Sequence, residues 1–336
     1  MTGNNGINQI FESFEGIKVL IVGDVMLDDY AFGTVSRISP EAPIPVLDIY
    51  KKDRRLGGAA NVALNLKALG ATPLIASVVG DDAEGHILKR HLQNHGIENA
   101  NVLLDQERTT TIKTRLMSRN QHVMRYDYEQ TSPLDEKTEL LLIDNIIDIL
   151  YNEQPSVLVF QDYNKGVLTP KVIANVIHNC QQAKIPVAVD PKFDNFMEYK
   201  GCTLFKPNLK EVRDGLGMNV NPSKTETLVE ADLQLRNMLR HTYSAITLSE
   251  RGIFVGSEDD NELIPAYYSE IVDVAGAGDT VISIYALGLA LGLDIFATSE
   301  LANIAAGLVC KQAGVVPINR ELLLKEAALF FGAAAS

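Results

Sequence analysis

KVLIVGD, at residues 18–24, is a short apolar run rich in β-branched side chains that ends in a glycine and an aspartate. Such a run is typical of a buried parallel strand whose C-terminal end opens into a loop. Similar runs recur along the chain, at 73–80, 156–160, 186–190, 203–206 and 245–248. Segments with helical periodicity lie between them, at 59–69, 135–151, 170–183 and 230–240. Strands that alternate with helices in this way predict an α/β fold, with a doubly wound sheet flanked by helices.

Two segments break this alternation. Residues 33–50 contain three prolines, and in residues 109–128 polar and apolar side chains alternate as in exposed strands. We expect these segments to form a small β lid. Because exposed strand edges pair with other chains, the lid also favours a homodimer. Further along, 280–291 and 299–312 are rich in small and aliphatic residues at helical spacing and predict buried helices.

The composition excludes several classes of function. The 336 residues carry 30 basic and 43 acidic side chains, a net charge of −13 that repels nucleic acid and anionic membrane surfaces. The longest apolar runs, such as 281–291, are shorter than the roughly 20 residues of a membrane-spanning helix. The first residues lack the basic and apolar parts of a secretory signal, so a cytoplasmic location is expected by default. Any phosphate must then bind at a few local cations or at helix N-termini.

The most informative motif is DVAGAGDT, at residues 273–280, a glycine-rich turn that runs into an apolar helix. Small residues let backbone N–H groups approach a phosphate, and the start of a helix favours negative charge. We expect Gly276, Ala277 and Gly278 to hold the transferred phosphoryl group and Asp279 to accept the proton of an attacking hydroxyl. The alternative is an ordinary tight turn in which Asp279 caps the helix.

A second glycine-rich segment, GGAAN at residues 57–61, also opens a predicted helix and lies about one βαβ unit after Asp24. Both groups of residues are expected to flank one cleft. Short acceptors and an amide are suited to binding sugar hydroxyls, and they occur here as Asp24, Asp28 and Asn61, beside Gly57 and Gly58. The alternative is that Asn61 only starts a helix and Asp24 only ends a strand.

Two further motifs indicate a nucleotide and a metal. Asn208 and Glu211 lie one helical turn apart, so together they can orient waters on Mg²⁺, although the same spacing makes a capping box. TLSERG, at residues 247–252, ends a predicted strand in a glycine turn. Nucleotide phosphates and the adenine edge are expected at Thr247, Ser249 and Gly252, and the alternative is a simple hairpin turn.

Together these motifs resemble the ribokinase, or PfkB, family of sugar kinases. Members share a GG pair near the start, N-x-x-E in the middle and a late G-A-G-D, and all three occur here in that order, at 57–58, 208–211 and 276–279. The resemblance implies one ribokinase-like domain over 1–336 with a β lid over the sugar, ATP across the C-terminal region, Mg²⁺ and a catalytic aspartate at the position of Asp279. One departure is Ala275, where the family usually has threonine. Because backbone amides should build the anion hole, we expect a lower rate and not a different reaction.

Within the family, six segments resemble the kinases that phosphorylate C1 of D-glycero-D-manno-heptose 7-phosphate on the way to ADP-heptose and lipopolysaccharide core. They lie at 23–28, 36–43, 57–63, 118–121, 162–166 and 190–192. The resemblance implies that Arg119, Asn120 and Lys165 contact the sugar phosphate, since a phosphorylated sugar requires cations at one end of its site. Lys192 and Asn303 join the expected ATP-binding residues.

Other interpretations stay open at this stage. The chain has no H-x-G-H signature, so we expect no nucleotidyltransferase domain and only the kinase step. A PfkB-type kinase of ribose, fructose or a ketodeoxy acid is one alternative. Ala275 also motivates a nucleotide- or sugar-binding sensor without catalysis. The expected partners are therefore small molecules, a sugar phosphate and ATP, together with a second copy of the chain.

Overall fold

The computed structural model describes residues 4–119, 121–267 and 271–333. Within them, the strands are β1 (Lys18–Gly23), β2 (Val25–Ile38), β3 (Pro45–Gly58), β4 (Thr72–Gly80), β5 (Val102–Asp105), β6 (Ile112–Ser118), β7 (Gln121–Tyr128), β8 (Val157–Gln161), β9 (Val187–Asp190), β10 (Leu204–Phe205), β11 (Tyr243–Thr247), β12 (Ile253–Gly256) and β13 (Asn261–Ile264). The α-helices are α1 (Asn4–Ser13), α2 (Ala59–Ala68), α3 (Ala83–Asn94), α4 (Glu136–Asn152), α5 (Pro170–Ala183), α6 (Leu209–Leu216), α7 (Thr225–Leu239), α8 (Ala277–Ala290), α9 (Ile295–Cys310) and α10 (Arg320–Ala333). Among these described helices, none is long and apolar enough to cross a membrane.

Nine strands form the main sheet, in the order β13-β12-β11-β10-β9-β8-β1-β4-β5. The strands from β11 to β5 run parallel, and β12 and β13 continue the sheet antiparallel at one edge. In β1, Val19 and Ile21 pack in a core with α2, α8 and α9, whereas Leu20 and Val22 pack in a second core with α4 and α5. Helices therefore cover both faces, and the predicted doubly wound α/β fold is confirmed.

A second sheet of four strands has the order β3-β2-β6-β7. The predicted lid segments 33–50 and 109–128 fall largely in this sheet. It extends further than predicted, because β2 already begins at Val25, separated from the end of β1 by a single residue, and β3 continues to Gly58, directly before α2. The extra residues were missed because the sheet buries polar side chains such as Asp28 there, which hides the alternation of exposed and buried positions.

The fold brings several polar residues together at the carboxyl ends of the parallel strands. The strands β1, β8, β9 and β10 end on the same side of the main sheet, and residues at or just after their ends are buried and polar: Asp24, Gln161, Asp190 and Lys206. Helix α8 begins at the same place. In doubly wound sheets, ligands bind beyond the carboxyl ends of the strands.

Candidate active site

Asp279 lies in the first turn of α8, is 4% exposed, and accepts three side-chain hydrogen bonds. Its Oδ2 accepts from Asn61 Nδ2 at 2.7 Å. Its Oδ1 accepts from Gln161 Nε2 at 3.1 Å and from the hydroxyl of Tyr163 at 2.7 Å. The predicted base is thus held by groups from α2, from β8 and from the loop after β8.

Burial raises the pKa of Asp279 to about 6, with a further increase from the nearby carboxylate of Asp190. The hydrogen bonds from Asn61 and Tyr163 and the charge of Lys206 act in the opposite direction. A carboxyl group with this pKa is mostly ionised at pH 7 and is still a stronger base than an exposed aspartate. Asp279 is therefore chemically able to take a proton from a hydroxyl.

The glycine turn before α8 has the form expected of an anion-binding helix start. Gly276 adopts the left-handed conformation, with φ of 83°, and a Cβ at this position would lie 3.1 Å from Asn61 Nδ2. The first N–H groups of a helix have no partner within the helix, and they carry its partial positive charge. At Ala275 the backbone N–H donates to Asp273 Oδ1 at 3.0 Å, a contact that needs no side chain at that position.

A buried ion pair lies beside this turn. Lys206 Nζ is 3.0 Å from Asp190 Oδ1, and both residues are less than 10% exposed. A Cβ at Gly278 would be 3.8 Å from the same ammonium nitrogen. Gln161 connects the pair to the base, because its Nε2 also donates to Asp190 Oδ2 at 3.1 Å. None of these three residues was predicted as part of the site, although each lies at the end of an apolar strand, where a polar residue is a signal for a site.

The glycine pair at 57–58 is required by close packing. A Cβ at Gly57 would lie 2.2 Å from Asp28 Oδ2, and one at Gly58 would lie 2.4 Å from the carbonyl oxygen of Asp24. Gly58 also has φ of 60°. Asp28 is buried and forms a salt bridge with Arg115 of β6, a second cation that the sequence analysis missed. The glycines thus let Asp28 and the start of α2 approach each other.

Asp24 binds the backbone of the loop that follows β8. It is 1% exposed, and its carboxylate accepts the backbone N–H groups of Tyr163 at 2.8 Å, Lys165 at 3.1 Å and Val167 at 3.2 Å. Burial, together with the carboxylate of Asp162, raises its pKa to about 6. These contacts engage both oxygens of Asp24 with the loop, and its predicted contact with sugar hydroxyls stays a prediction.

Two lysines lie near the aromatic ring of Tyr163, and a third follows on the same loop. Nζ of Lys113, on β6, lies 5.4 Å from the ring centroid, and Nζ of Lys192 lies 5.7 Å from it. Lys165 follows on the same loop and pairs with Glu129 at 2.8 Å. Burial lowers the pKa of Lys113, and the charge of Lys165 lowers it further. A phosphate placed here would relieve the repulsion between these two cations.

Arg119, another predicted sugar-phosphate residue, lies just after β6, at the tip of the β6–β7 hairpin. Arg119 is exposed and has φ of 49°. Asn120 lies outside the described residues. Lys113 lies at the start of β6 and Arg119 just beyond its end, so a contact of both with one substrate would require the hairpin to fold over the cleft.

A cavity of about 300 Å³ opens next to the glycine turn. Four predicted nucleotide residues line it, namely Thr247, Ser249, Gly252 and Asn303. Ala277 and Gly278 line the same cavity, which connects it to the turn, and the other walls are mostly apolar. Its size and lining suit a flat, partly apolar ring such as a nucleobase.

Asn208 and Glu211 form the capping box of α6. Asn208 Oδ1 accepts from the N–H of Glu211 at 2.9 Å, and Glu211 Oε2 accepts from the N–H of Asn208 at 2.8 Å. The other oxygen of Glu211 pairs with Lys192. Among the described residues, no group of three His, Cys, Asp or Glu side chains is placed to hold a metal. The pair therefore fits Mg²⁺ only through water, with phosphate oxygens as the main ligands, which is a usual mode for this ion.

Comparisons with known proteins identify the family of the chain. The family model of pfkB carbohydrate kinases matches residues 17–321. The bifunctional protein HldE of Methylobacillus flagellatus is 40% identical over 310 residues, which cover 92% of this chain and 63% of the relative. HldE of Campylobacter jejuni subsp. jejuni is 41% identical over 312 residues, covering 92% and 64%. The chain thus spans just under two thirds of these relatives.

Solved structures share the fold at low sequence identity. Escherichia coli phosphofructokinase-2 in complex with potassium superposes with a TM-score of 0.78 at 16% identity, covering 94% of this chain and 99% of the other. Arabidopsis thaliana ribokinase complexed with ribose and ATP gives a TM-score of 0.70 at 17% identity, covering 92% and 99%. With the family model and the relatives above, these findings show that the chain belongs to the pfkB family of carbohydrate kinases.

Proposed function

We propose that the protein transfers the γ-phosphoryl group of ATP to the C1 hydroxyl of D-glycero-D-manno-heptose 7-phosphate, in the route to ADP-heptose and lipopolysaccharide core. The products are the 1,7-bisphosphate and ADP. The observation that carries the proposal is the position of Asp279, which follows the cavity-lining Ala277 and Gly278 in α8 and accepts a hydrogen bond from Gln161 at a strand end. The heptose is chosen because of the segments at 36–43 and 118–121, which resemble heptose 7-phosphate kinases. Support also comes from the identity of 37–41% to the HldE proteins.

In this reaction, Asp279 accepts the proton of the C1 hydroxyl while that oxygen attacks the γ-phosphorus and the bond to ADP breaks. The proton then leaves Asp279 for solvent, which restores the base. The N–H groups of Gly276, Ala277 and Gly278 are assigned to the charge on the transferred group, since they lie at the positive end of α8. The N–H of Ala277 donates to the carbonyl oxygen of Val274 at 3.3 Å and would have to exchange that contact for the phosphoryl group. The buried ammonium of Lys206 beside Gly278 adds positive charge at the same place.

ATP is assigned to the cavity lined by Thr247, Ser249, Gly252 and Asn303, with Lys192 beside its phosphates. Mg²⁺, when bound to these phosphates, neutralises part of their charge. Asn208 and Glu211 orient the waters around it. The use of ATP fits a cytoplasmic enzyme.

The 7-phosphate is assigned to Lys165 and Lys113, with Arg119 as a contact made when the hairpin closes. A protein with net charge −13 must provide a local positive region for a substrate that is itself an anion. Lys113 and Lys165 supply this region near Tyr163, whose hydroxyl contacts the base. Asp28, which lies beside Gly57, is assigned to sugar hydroxyls.

The four-stranded sheet is assigned the roles of lid and dimer interface, as parts of a single kinase domain over 1–336. Strand β7 is an exposed strand, and it carries the large apolar side chains of Val123, Met124, Tyr126 and Tyr128. A second copy of the chain would remove this apolar surface from water. Light scattering coupled to size exclusion tests the assignment, because it predicts twice the mass of one chain.

A panel of sugars tests the proposed function. Release of ADP is measured with heptose 7-phosphate, unphosphorylated heptose, ribose and fructose 6-phosphate, each over a range of concentrations. The proposal predicts the highest kcat/KM for heptose 7-phosphate. A higher kcat/KM for ribose or fructose 6-phosphate would retain a sugar kinase and refute the heptose assignment, whereas no ADP release with any sugar would favour a sensor.

A further inference from the structure

We propose that Tyr163 is a positioning residue for Asp279, whose hydroxyl holds Oδ1 so that Oδ2 receives the proton of the sugar, and that Asp24 holds Tyr163 in place. This inference rests on the proposed function of Asp279 as the base. It assigns the base function to one of the two oxygens, and it gives Asp24 a role other than sugar binding.

The two oxygens of Asp279 differ in how many donors they meet. A carboxylate oxygen has two lone pairs. Among the described side chains, Oδ1 accepts from both Gln161 and Tyr163, whereas Oδ2 accepts only from Asn61. A lone pair is therefore left on Oδ2, and an incoming hydroxyl can bond there without displacing either donor of Oδ1.

Tyr163 is suited to this role because its hydroxyl can act towards Asp279 only as a donor. Burial, together with the charge of Asp279, raises the pKa of Tyr163 well above its ordinary value, so the phenol stays protonated. The contacts of the ring with Lys113 and Lys192 come from two different parts of the fold. The ring therefore lies between two cations, and its hydroxyl extends beyond them to Oδ1 of Asp279.

Asp24 fixes the backbone that carries Tyr163. Its carboxylate accepts the N–H groups of residues 163, 165 and 167, which clamps the loop to the end of β1. The backbone oxygen of Asp24 also accepts from the N–H of Ala59 at 2.9 Å, at the start of the helix that carries Asn61. Asp24 thus connects the two segments whose side chains bond to the two oxygens of Asp279.

The groups around Asp279 predict how the loss of the Tyr163 hydroxyl would change the pKa of Asp279. Asp190 raises the pKa of Asp279, and Lys206, Asn61 and Tyr163 lower it. Replacing Tyr163 by phenylalanine removes one of the lowering groups and leaves the ring in place. The pKa of Asp279 should therefore increase, and the acidic limb of the pH–rate profile should move to higher pH.

The first test compares Tyr163→Phe with Tyr285→Phe. Tyr285 is a matched control because it is buried, lies on α8 itself and donates its hydroxyl at 2.7 Å, but to Ser299 and not to the base. We expect kcat of Tyr163→Phe to fall about 10-fold or more with little change in either KM. The acidic limb of the pH–rate profile should move to higher pH in Tyr163→Phe but not in Tyr285→Phe. Equal profiles in the two variants would overturn the proposal.

A second measurement does not depend on turnover. The infrared band of the Asp279 carboxyl group is isolated by subtracting the spectrum of Asp279→Asn, and it is titrated in wild type and in Tyr163→Phe. A higher pKa in the variant supports the contact, and an unchanged pKa overturns it. If the pKa moves as expected but no sugar is phosphorylated, the contact stands and only the proposed function fails.

Asp24→Asn tests the other half of the proposal. An amide has one acceptor oxygen, so it cannot hold all three N–H groups of the loop. If Asp24 anchors the loop, kcat falls and the infrared pKa of Asp279 rises as in Tyr163→Phe, while KM for the sugar stays within about 3-fold. A rise in sugar KM with normal kcat would indicate that Asp24 contacts the sugar, and it would overturn the role of Asp24 as the anchor of the loop.

Discussion

Nδ2 of Asn61 donates a 2.7 Å hydrogen bond to Oδ2 of Asp279, across 218 residues of sequence. This bond brings the glycine pair at 57–58 and the glycine turn at 276–278 to one place. Each motif alone has an ordinary structural explanation, as a helix start or a tight turn. Their contact in a buried position makes a shared site the better explanation, because a buried carboxylate must be compensated by donors.

Replacing Asp279 by asparagine tests its assigned role as the base. Asparagine has almost the same size but cannot accept a proton at neutral pH. We expect kcat to fall by about 10²-fold or more, while the Kd for ATP measured by calorimetry stays near the wild-type value. Near-normal turnover would remove Asp279 from this role.

The same substitution should change the pH dependence of stability. Asp279 has a pKa of about 6 in the folded protein, compared with 3.8 for an ordinary aspartate. The folded state therefore binds this proton more tightly, so the stabilisation is present below pH 3.8 and is lost as the pH rises towards 6. The difference in unfolding free energy, Asp279→Asn minus wild type, should increase between pH 4 and 7 by up to about 3 kcal/mol. Denaturant titrations that give a constant difference over this range would contradict the raised pKa.

The main sheet could be predicted from the sequence because its strands are buried on both faces. Runs such as 18–23 and 156–160 are continuously apolar and stand out against the helices between them. The polar residues of the site were harder to predict. Gln161 and Lys206 follow apolar strands, but nothing in the local sequence shows that their side chains turn inward to Asp279 and Asp190, since this depends on how distant strands are ordered.

Asp24 is another residue whose contacts could not be predicted from the sequence. Its position at the end of β1 was predicted correctly, and an acidic group at a strand end is a reasonable ligand for hydroxyls. Its partners are backbone N–H groups of the loop after β8, about 140 residues away. A sequence pattern contains no signal for backbone donors, so an anchor of a loop and a ligand of a substrate look alike.

Lysine substitutions test the assignment of the sugar phosphate. Lys165→Ala removes a charge-assisted contact, so KM for heptose 7-phosphate should rise about 10- to 150-fold, with nucleotide affinity unchanged. Lys113→Ala should act in the same direction. Lys18→Ala is a matched control, because Lys18 also pairs with a glutamate at 2.8 Å, Glu153, but lies at the opposite end of β1. Its kinetics should equal those of wild type.

The dephosphorylated heptose provides the decisive contrast for these lysines. Wild type should use it poorly, and the two alanine variants at 113 and 165 should lose little further activity on it. If both variants keep the wild-type KM for heptose 7-phosphate, the phosphate binds elsewhere. Arg119→Ala then becomes the next variant to measure.

Glu211→Gln tests the assignment of the magnesium shell. The amide keeps a carbonyl oxygen for the N–H of Asn208 but removes the charge that pairs with Lys192 and orients waters on the ion. The Mg²⁺ concentration for half-maximal rate should therefore rise, with less effect on the rate at saturating Mg²⁺. An unchanged titration curve would show that the pair only caps α6.

The position of the new phosphate on the sugar shows whether Asp279 directs phosphoryl transfer to the C1 hydroxyl. Wild-type protein is incubated with heptose 7-phosphate, ATP and Mg²⁺, and the product is analysed by proton and phosphorus NMR. We expect a second phosphate on C1, with coupling of its phosphorus to the C1 proton, and no such signal with Asp279→Asn in the same time. A phosphate on any other carbon, or turnover that does not depend on Asp279, would contradict this expectation.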